Sequence, residues 1–187
     1  MQIIRGMCML LNSGKPVSGF PESLSQIMGA EILGISISII YVFIAYFVMI
    51  VVMSKTRYGR YVYAIGGNRD AAKLSGVKVQ RIELFTYAIA GLFAAIGGIM
   101  LLSRLTYADP NAGNGYEMNA IAATVIGGTA MSGGKGKLVN TFVGAIILGM
   151  LTTGLQILNV AVHYQSIITG IAIAGAVYLD KIKERQK

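Results

Sequence analysis

The stretch ILGISISIIYVFIAYFVMIVVM, residues 32–53, contains 22 residues and no charged side chain. A transmembrane helix needs about 20 consecutive apolar residues to cross the hydrocarbon core of a bilayer. Three more stretches are candidate spans: residues 82–102, with Glu83 near one end, 138–158 and 162–179. Of the 187 residues, 55% are hydrophobic and only 13% are charged, whereas soluble domains carry about 25% charged residues. The sequence therefore predicts an all-α fold, a polytopic bundle of transmembrane helices.

A shorter apolar stretch, residues 119–131, lies between the second and third of these spans. Polar residues and glycines interrupt it, and at about 1.5 Å per residue it falls short of the bilayer core as a straight helix. Irregular backbone at membrane depth is tolerated only where it is packed inside protein. We therefore predict a short or broken helix here.

The basic residues predict the orientation of the chain. Segment 54–81 holds seven basic residues against one acidic residue, the tail 181–187 holds four against one, and 103–117 holds one against two. The positive-inside rule places 54–81 and the tail in the cytoplasm and 103–117 outside. An odd number of crossings must follow residue 117, so 119–131 must itself cross, which gives five crossings in all. The net charge of +8 then reflects lipid head groups and orientation rather than nucleic acid.

One polar segment, residues 68–76, has the signals of a small capped helix. Asn68 can accept from the free amides of the first turn, and Asp70 in that turn favours the positive end of the helix dipole. Gly76 can take a left-handed exit conformation. A helix this short is marginal alone in water, so it needs a partner surface. An ordinary ordered loop fits the same residues equally well.

Two motifs now indicate a family. YGRYVYAIGGNRDAAKLSGV, residues 58–77, and NAIAATVIGGTAMSGGKG, residues 119–136, resemble the C-terminal portion of the membrane permease subunit of bacterial ABC importers for monosaccharides, of the ribose, xylose and galactose type. The resemblance implies a single transmembrane permease domain over 1–187, with 54–81 as a cytoplasmic segment that contains the helix docking on the ATPase. Carried over to this sequence, that helix covers Gly67, Asn68, Ala71, Ala72, Leu74, Ser75 and Gly76.

The resemblance also implies the partners. They are a cytoplasmic ATP-binding subunit, an extracytoplasmic sugar-binding protein, a second permease copy and the lipid of a bacterial inner membrane. Because family members are longer, either an upstream half precedes this sequence or the chain begins at an internal methionine; residues 1–11 look like the end of a span, followed by an outside loop, 12–30.

Polar groups at membrane depth are functional candidates. Sugar hydroxyls need donors and acceptors along their path, so the candidates for the translocation path are Asn119, Thr124, Thr129 and Gln156. Threonine can also satisfy itself on its own helix, which makes Asn119 and Gln156 the stronger pair.

No catalytic triad, paired carboxylates or metal motif is evident in the sequence, so we predict neither an enzyme nor a cofactor. The stretch GGTAMSGGKGK, residues 127–137, lacks the spacing of a phosphate-binding loop, and we interpret it as a break that allows close packing. A membrane-embedded enzyme and a small channel or assembly protein are the alternative functions.

Overall fold

A computed structural model describes residues 2–21, 30–32 and 34–185. Part of the predicted outside loop, residues 22–29, lies outside these ranges, as do residue 33 of the first predicted span and residues 186–187 of the tail. Within the described ranges the chain forms eight helices: α1 Gln2–Leu11, α2 Ile37–Lys55, α3 Arg57–Gly67, α4 Arg69–Leu74, α5 Val79–Leu105, α6 Tyr116–Ile126, α7 Leu138–Ile157 and α8 Val162–Arg185.

Four short strands accompany the helices: β1 Val17–Ser18, β2 Glu31–Ile32, β3 Ile35–Ser36 and β4 Tyr107–Ala108. β1 pairs antiparallel with β4, and β2 pairs antiparallel with β3. The sequence did not predict these ladders, because strands of two residues are too short to show a period.

Three of the described helices, α2, α5 and α7, are long and apolar enough to cross a membrane. The prediction of a mostly helical membrane protein is therefore confirmed, whereas the number of crossings stays a prediction. The first span begins later than residue 32, because β2 folds back on β3 through Gly34, whose φ is +77°. The helix starts only at Ile37, after this hairpin.

The short apolar stretch forms a helix that is shifted toward the N-terminus. α6 has 11 residues and ends at Ile126, so it is about 16 Å long and ends before the predicted limit of 131. Gly127 closes the helix by donating its N–H to the Ala123 carbonyl at 3.0 Å. Gly128 then turns the chain away with a φ of +77°, a conformation that glycine adopts at little cost.

The described chain divides into two compact units. One consists of Met1–Phe47 and Leu84–Asn114, and the other of Val48–Glu83 and Gly115–Lys187. In the first unit, the Arg5 guanidinium donates to the Asn114 side-chain carbonyl at 3.0 Å. This bond holds α1 against the chain after α5, and the β1–β4 ladder does the same for the segment after α1.

The second unit has its core where α6, α7 and α8 pack together. Ala122, Ala123 and Leu148 are buried there, with Ile173 of α8 packed against them. A Cβ atom on Gly144 of α7 would collide with the Ala123 carbonyl of α6. Small residues of this kind let helix backbones approach closely in lipid. The C-terminal half of α6 therefore packs against α7 and α8, whereas its first residues, 116–121, are exposed.

Candidate functional site

The polar segment after α2 begins with a tight bend. The Thr56 hydroxyl donates to the Val52 carbonyl at 2.7 Å and accepts from the Gly59 amide at 3.3 Å, which caps α3. A Cβ atom on Gly59 would overlap the Met53 backbone. The start of α3 is therefore held directly against the end of α2.

Asn68 connects α3 to α4. Its backbone N–H donates to the Ala64 carbonyl at 3.0 Å and closes α3, while its side-chain oxygen accepts from the Ala71 amide at 2.9 Å and opens α4. One residue thus serves both helices. This is the N-terminal cap that the sequence predicts, and a cap of this type stabilises a helix by about 1 kcal/mol.

The other end of α4 is closed as firmly. Gly76 has a φ of +81°; its N–H donates to the Lys73 carbonyl at 3.0 Å, and the Val77 N–H donates to the Ala72 carbonyl at 3.1 Å. These two bonds form a Schellman motif. The left-handed exit predicted at Gly76 is present. The segment forms the predicted capped helix and not an ordinary ordered loop.

The two faces of α4 differ in exposure. Ala72 is buried at 5% exposure, whereas Leu74 is 90% exposed. The other exposed residues of segment 68–76 are polar or small: Asn68, Arg69, Asp70, Ala71, Lys73, Ser75 and Gly76. Ala72 therefore packs inside its own chain, and Leu74 is the large apolar side chain that α4 exposes.

An ion pair attaches α4 to the first turns of α5. The Arg69 Nε atom lies 2.9 Å from Glu83 Oε1, and Nη2 lies 2.9 Å from Oε2. This two-point geometry is the most directional that arginine makes with a carboxylate. The hydrogen bond to Glu83 raises the pKa of Arg69 above its ordinary value, and the negative charge of Glu83 adds a smaller effect in the same direction. The guanidinium therefore stays charged.

The end of α3 also contacts the loop between α6 and α7. A Cβ atom built on Gly66 would lie 2.6 Å from the Gly134 backbone nitrogen, and one on Gly133 would lie 2.6 Å from the Gly66 carbonyl oxygen. A Cβ atom on Gly134 would lie 2.6 Å from Gly67 Cα. We call Gly66, Gly67, Gly133 and Gly134 the glycine contact.

Sequence reasoning missed this contact and helix α3. Each of the two segments in contact contains a Gly-Gly pair, and a glycine within a regular segment can mark a close approach of backbones. These two Gly-Gly pairs were the feature of the sequence that could have indicated the contact. The loop 127–137 is therefore more than a break, because it packs against α3.

The candidate path residues are distributed over two helices and one loop. Thr124 donates its hydroxyl to the Ile121 carbonyl at 2.6 Å, which is the self-satisfied arrangement. The Thr129 hydroxyl lies 3.3 Å from that of Thr141, and its N–H donates to the Thr124 carbonyl at 2.9 Å.

Asn119 lies on α6 and Gln156 on α7, and both are exposed. The structure thus joins the two threonines through the backbone, and it leaves the two amide side chains accessible. Among the described residues, no three His, Cys, Asp or Glu side chains are grouped closely enough to hold a metal ion.

The apolar helices define an integral membrane protein of the helical class. The family described as "branched-chain amino acid transport system / permease component" matches residues 2–177, and the chain belongs to this family of transport permeases, which are not enzymes. Ribose import permease protein RbsC of Bacillus subtilis (strain 168) is 43% identical over 185 residues, 98% of this chain and 58% of the relative.

Two other relatives lead to the same family. Ribose import permease protein RbsC of Escherichia coli (strain K12) is 41% identical over 189 residues, 98% of this chain and 59% of the relative. D-allose transport system permease protein AlsC of the same strain is 35% identical over 180 residues, 96% and 55% of the two chains. The resemblance to the C-terminal part of sugar-importer permeases is therefore confirmed. The chain spans less than two thirds of the length of these relatives, and no solved structure matches it.

Proposed function

We propose that this chain forms part of the permease of an ABC importer that carries a monosaccharide into a bacterial cytoplasm. Family membership supports a transport permease, and the names of the relatives specify ribose and allose. The observation that carries the proposal is α4, a six-residue helix capped at both ends that exposes Leu74.

In this proposal, α4 is the surface on which a separate ATP-binding subunit presses. A helix of six residues does not persist in water by its own propensity, so its two caps and the Arg69–Glu83 ion pair serve to hold its shape. Of the predicted coupling residues, Leu74 provides apolar contact area. Asn68 and Gly76 fix the helix ends, and Ala72 packs it against its own chain.

The remaining elements of the transporter follow from charge and exposure. Five crossings of the bacterial inner membrane place 54–81 and the tail in the cytoplasm and 103–117 outside, where an extracytoplasmic sugar-binding protein docks. The exposed apolar side chains of α2 and α5, such as Phe47 and Leu84, face lipid or a second permease copy. Asn119 and Gln156, with Thr124 and Thr129, supply hydrogen-bonding groups to the sugar path.

The test is reconstitution of the permease that contains this chain, with its ATPase and its binding protein, in proteoliposomes. We expect ATP-dependent uptake of at least one of labelled D-ribose, D-allose and L-arabinose, with ATP hydrolysis stimulated by the loaded binding protein. ATP hydrolysis that no sugar-loaded binding protein stimulates, with no uptake of any of the three, would contradict the proposal.

A further inference from the structure

The glycine contact is unusual because it joins two pieces of backbone without side chains between them. Three added Cβ atoms, on Gly66, Gly133 and Gly134, would each fall 2.6 Å from a backbone atom of the opposite segment, and Cβ atoms in proteins essentially never approach closer than 3.0 Å. Side-chain contacts can absorb a displacement by changing rotamer. A backbone contact has no such freedom, so one segment cannot move toward the other without displacing it.

The loop that carries Gly133 and Gly134 is itself held in shape. The Ala130 N–H donates to the Lys135 carbonyl at 3.0 Å, and the Gly133 N–H donates to the Ala130 carbonyl at 3.0 Å. These two bonds close the loop into a compact turn. The turn therefore moves as one piece when it is displaced at the glycine contact.

A second attachment joins the same partners beside the glycine contact. The Tyr63 hydroxyl of α3 donates to the Gly136 carbonyl at 3.1 Å. A Cβ atom on Gly136 would lie 2.7 Å from the Thr129 hydroxyl oxygen, so this end of the loop also packs closely against the residues that follow α6. Two separate points thus fix α3 to the loop.

The loop leads directly to α6 and α7. Gly127 at the end of α6 is buried, and its Cβ position lies 2.5 Å from the Asn140 carbonyl oxygen of α7. On the other side, Asn68 serves as the cap of both α3 and α4. A continuous series of backbone contacts therefore runs from α4 through α3 and the glycine contact to the short helix α6.

We propose that the glycine contact is the joint through which a displacement of α4 repositions α6 during transport, which makes its four glycines positioning residues. This inference rests on the proposed function. Interfaces and packed regions respond to small displacements by switching between discrete arrangements, and α6 is a short helix held between neighbours. The Arg69–Glu83 pair is a second connection from α4, but it leads to α5 and not to α6.

The primary test replaces Gly66 with alanine. Gly66 is helical, and alanine favours a helix more than glycine does, so the substitution should harm only through the contact with Gly134. Gly91→Ala is the matched control, because Gly91 is a helical glycine of α5 whose Cβ position meets nothing within 4 Å. The measurement is sugar transported per ATP hydrolysed in proteoliposomes, together with the affinity for the ATPase subunit.

A second pair of variants separates collision from backbone strain. Gly134 and Gly128 have φ angles of +72° and +77°, so the left-handed backbone conformation destabilises an alanine by a similar amount at both positions. Only the alanine at Gly134 would collide with backbone, since the Cβ position of Gly128 is open.

We expect Gly66→Ala and Gly134→Ala to bind the ATPase subunit normally and to hydrolyse ATP, while moving about fivefold less sugar per ATP than Gly91→Ala and Gly128→Ala. A merely structural role would lower uptake and hydrolysis in proportion and leave that ratio unchanged, which would overturn the inference. So would loss of ATPase binding, because neither Gly66 nor Gly134 belongs to the residues 67–76 that are proposed to dock on that subunit. If the wild-type transporter moves no sugar, the proposed function fails; if only the ratio is unaffected, the inference alone fails.

Discussion

Arg69 and Glu83 form a two-point ion pair, with both nitrogen–oxygen distances at 2.9 Å, that ties the first residue of α4 to the beginning of α5. The two residues lie 14 positions apart, and their side chains are 63% and 34% exposed. The pair therefore fixes the direction of α4 more than it adds to global stability, because exposed ion pairs contribute little to folding free energy.

Replacing Arg69 with lysine tests this role of the pair. Lysine keeps the positive charge but cannot make the planar two-point contact. We expect Arg69→Lys to weaken the stimulation of ATP hydrolysis by sugar-loaded binding protein by about two- to fivefold, with an unchanged melting temperature. Arg57→Lys is the control, because it is the same substitution in the first turn of α3. Equal effects of the two variants would show that the ion pair has no special role.

The cap at Asn68 predicts the local stability of α4. Asn68→Ala removes the acceptor for the Ala71 amide, which costs about 1 kcal/mol, whereas Asn68→Asp keeps an acceptor oxygen. Amide hydrogen exchange in residues 71–74 of the assembled permease should become about fivefold faster in the alanine variant. Protection equal to that of the aspartate variant would mean that partners outside α4 hold the helix.

The charge distribution predicts which side of the membrane each loop occupies. Asp70 lies in α4, and Asn111 lies in the loop after β4. Cysteine at each position, introduced singly with Cys8 replaced by serine, should react differently with an impermeant maleimide applied from outside. We expect labelling of Asn111→Cys and not of Asp70→Cys. The reverse pattern would contradict the topology and the site that depends on it.

The close approach of α6 and α7 predicts the effect of one added methyl group. A Cβ atom on Gly144 would collide with the Ala123 carbonyl, whereas the Cβ position of Gly149 on the same helix is open. Overpacking of a tight contact costs about 1–3 kcal/mol. Gly144→Ala should therefore lower the melting temperature of the detergent-solubilised permease well below that of Gly149→Ala. Equal melting temperatures would mean that the two helices are not in close contact.

Local signals predicted much of this protein. Length and lack of charge indicated α2, α5 and α7, and the caps at Asn68 and Gly76 indicated α4, because each depends on residues close together in the sequence. The missed features depend on residues far apart. Gly66 and Gly134 are separated by 68 positions in the sequence, and neither Gly-Gly pair shows which backbone it approaches.

The same distinction applies within α4. The sequence grouped Ala72 with Leu74, because both belong to one motif. The structure buries Ala72 and exposes Leu74, a difference that depends on which face of α4 meets its own chain. For this reason a bulky substitution at Ala72 would disturb the segment itself, and Leu74 is the cleaner probe of docking.

The central claim is that α4 transmits force from an ATPase, and Leu74 tests it most directly. At 90% exposure, its side chain contributes little to the fold of the permease. Burying a leucine against a partner is worth about 1.5–3 kcal/mol, so losing it should weaken ATPase binding by roughly tenfold or more. Leu74→Met keeps the apolar volume and serves as the control for Leu74→Ser.

The decisive measurement is therefore the dissociation constant between the permease and its ATPase subunit, recorded with sugar-stimulated ATP hydrolysis for both variants. The account predicts that Leu74→Ser loses affinity by about tenfold or more and loses stimulation with it, while Leu74→Met retains both. Unchanged affinity and stimulation in Leu74→Ser, in a permease that is normally folded, would contradict the account.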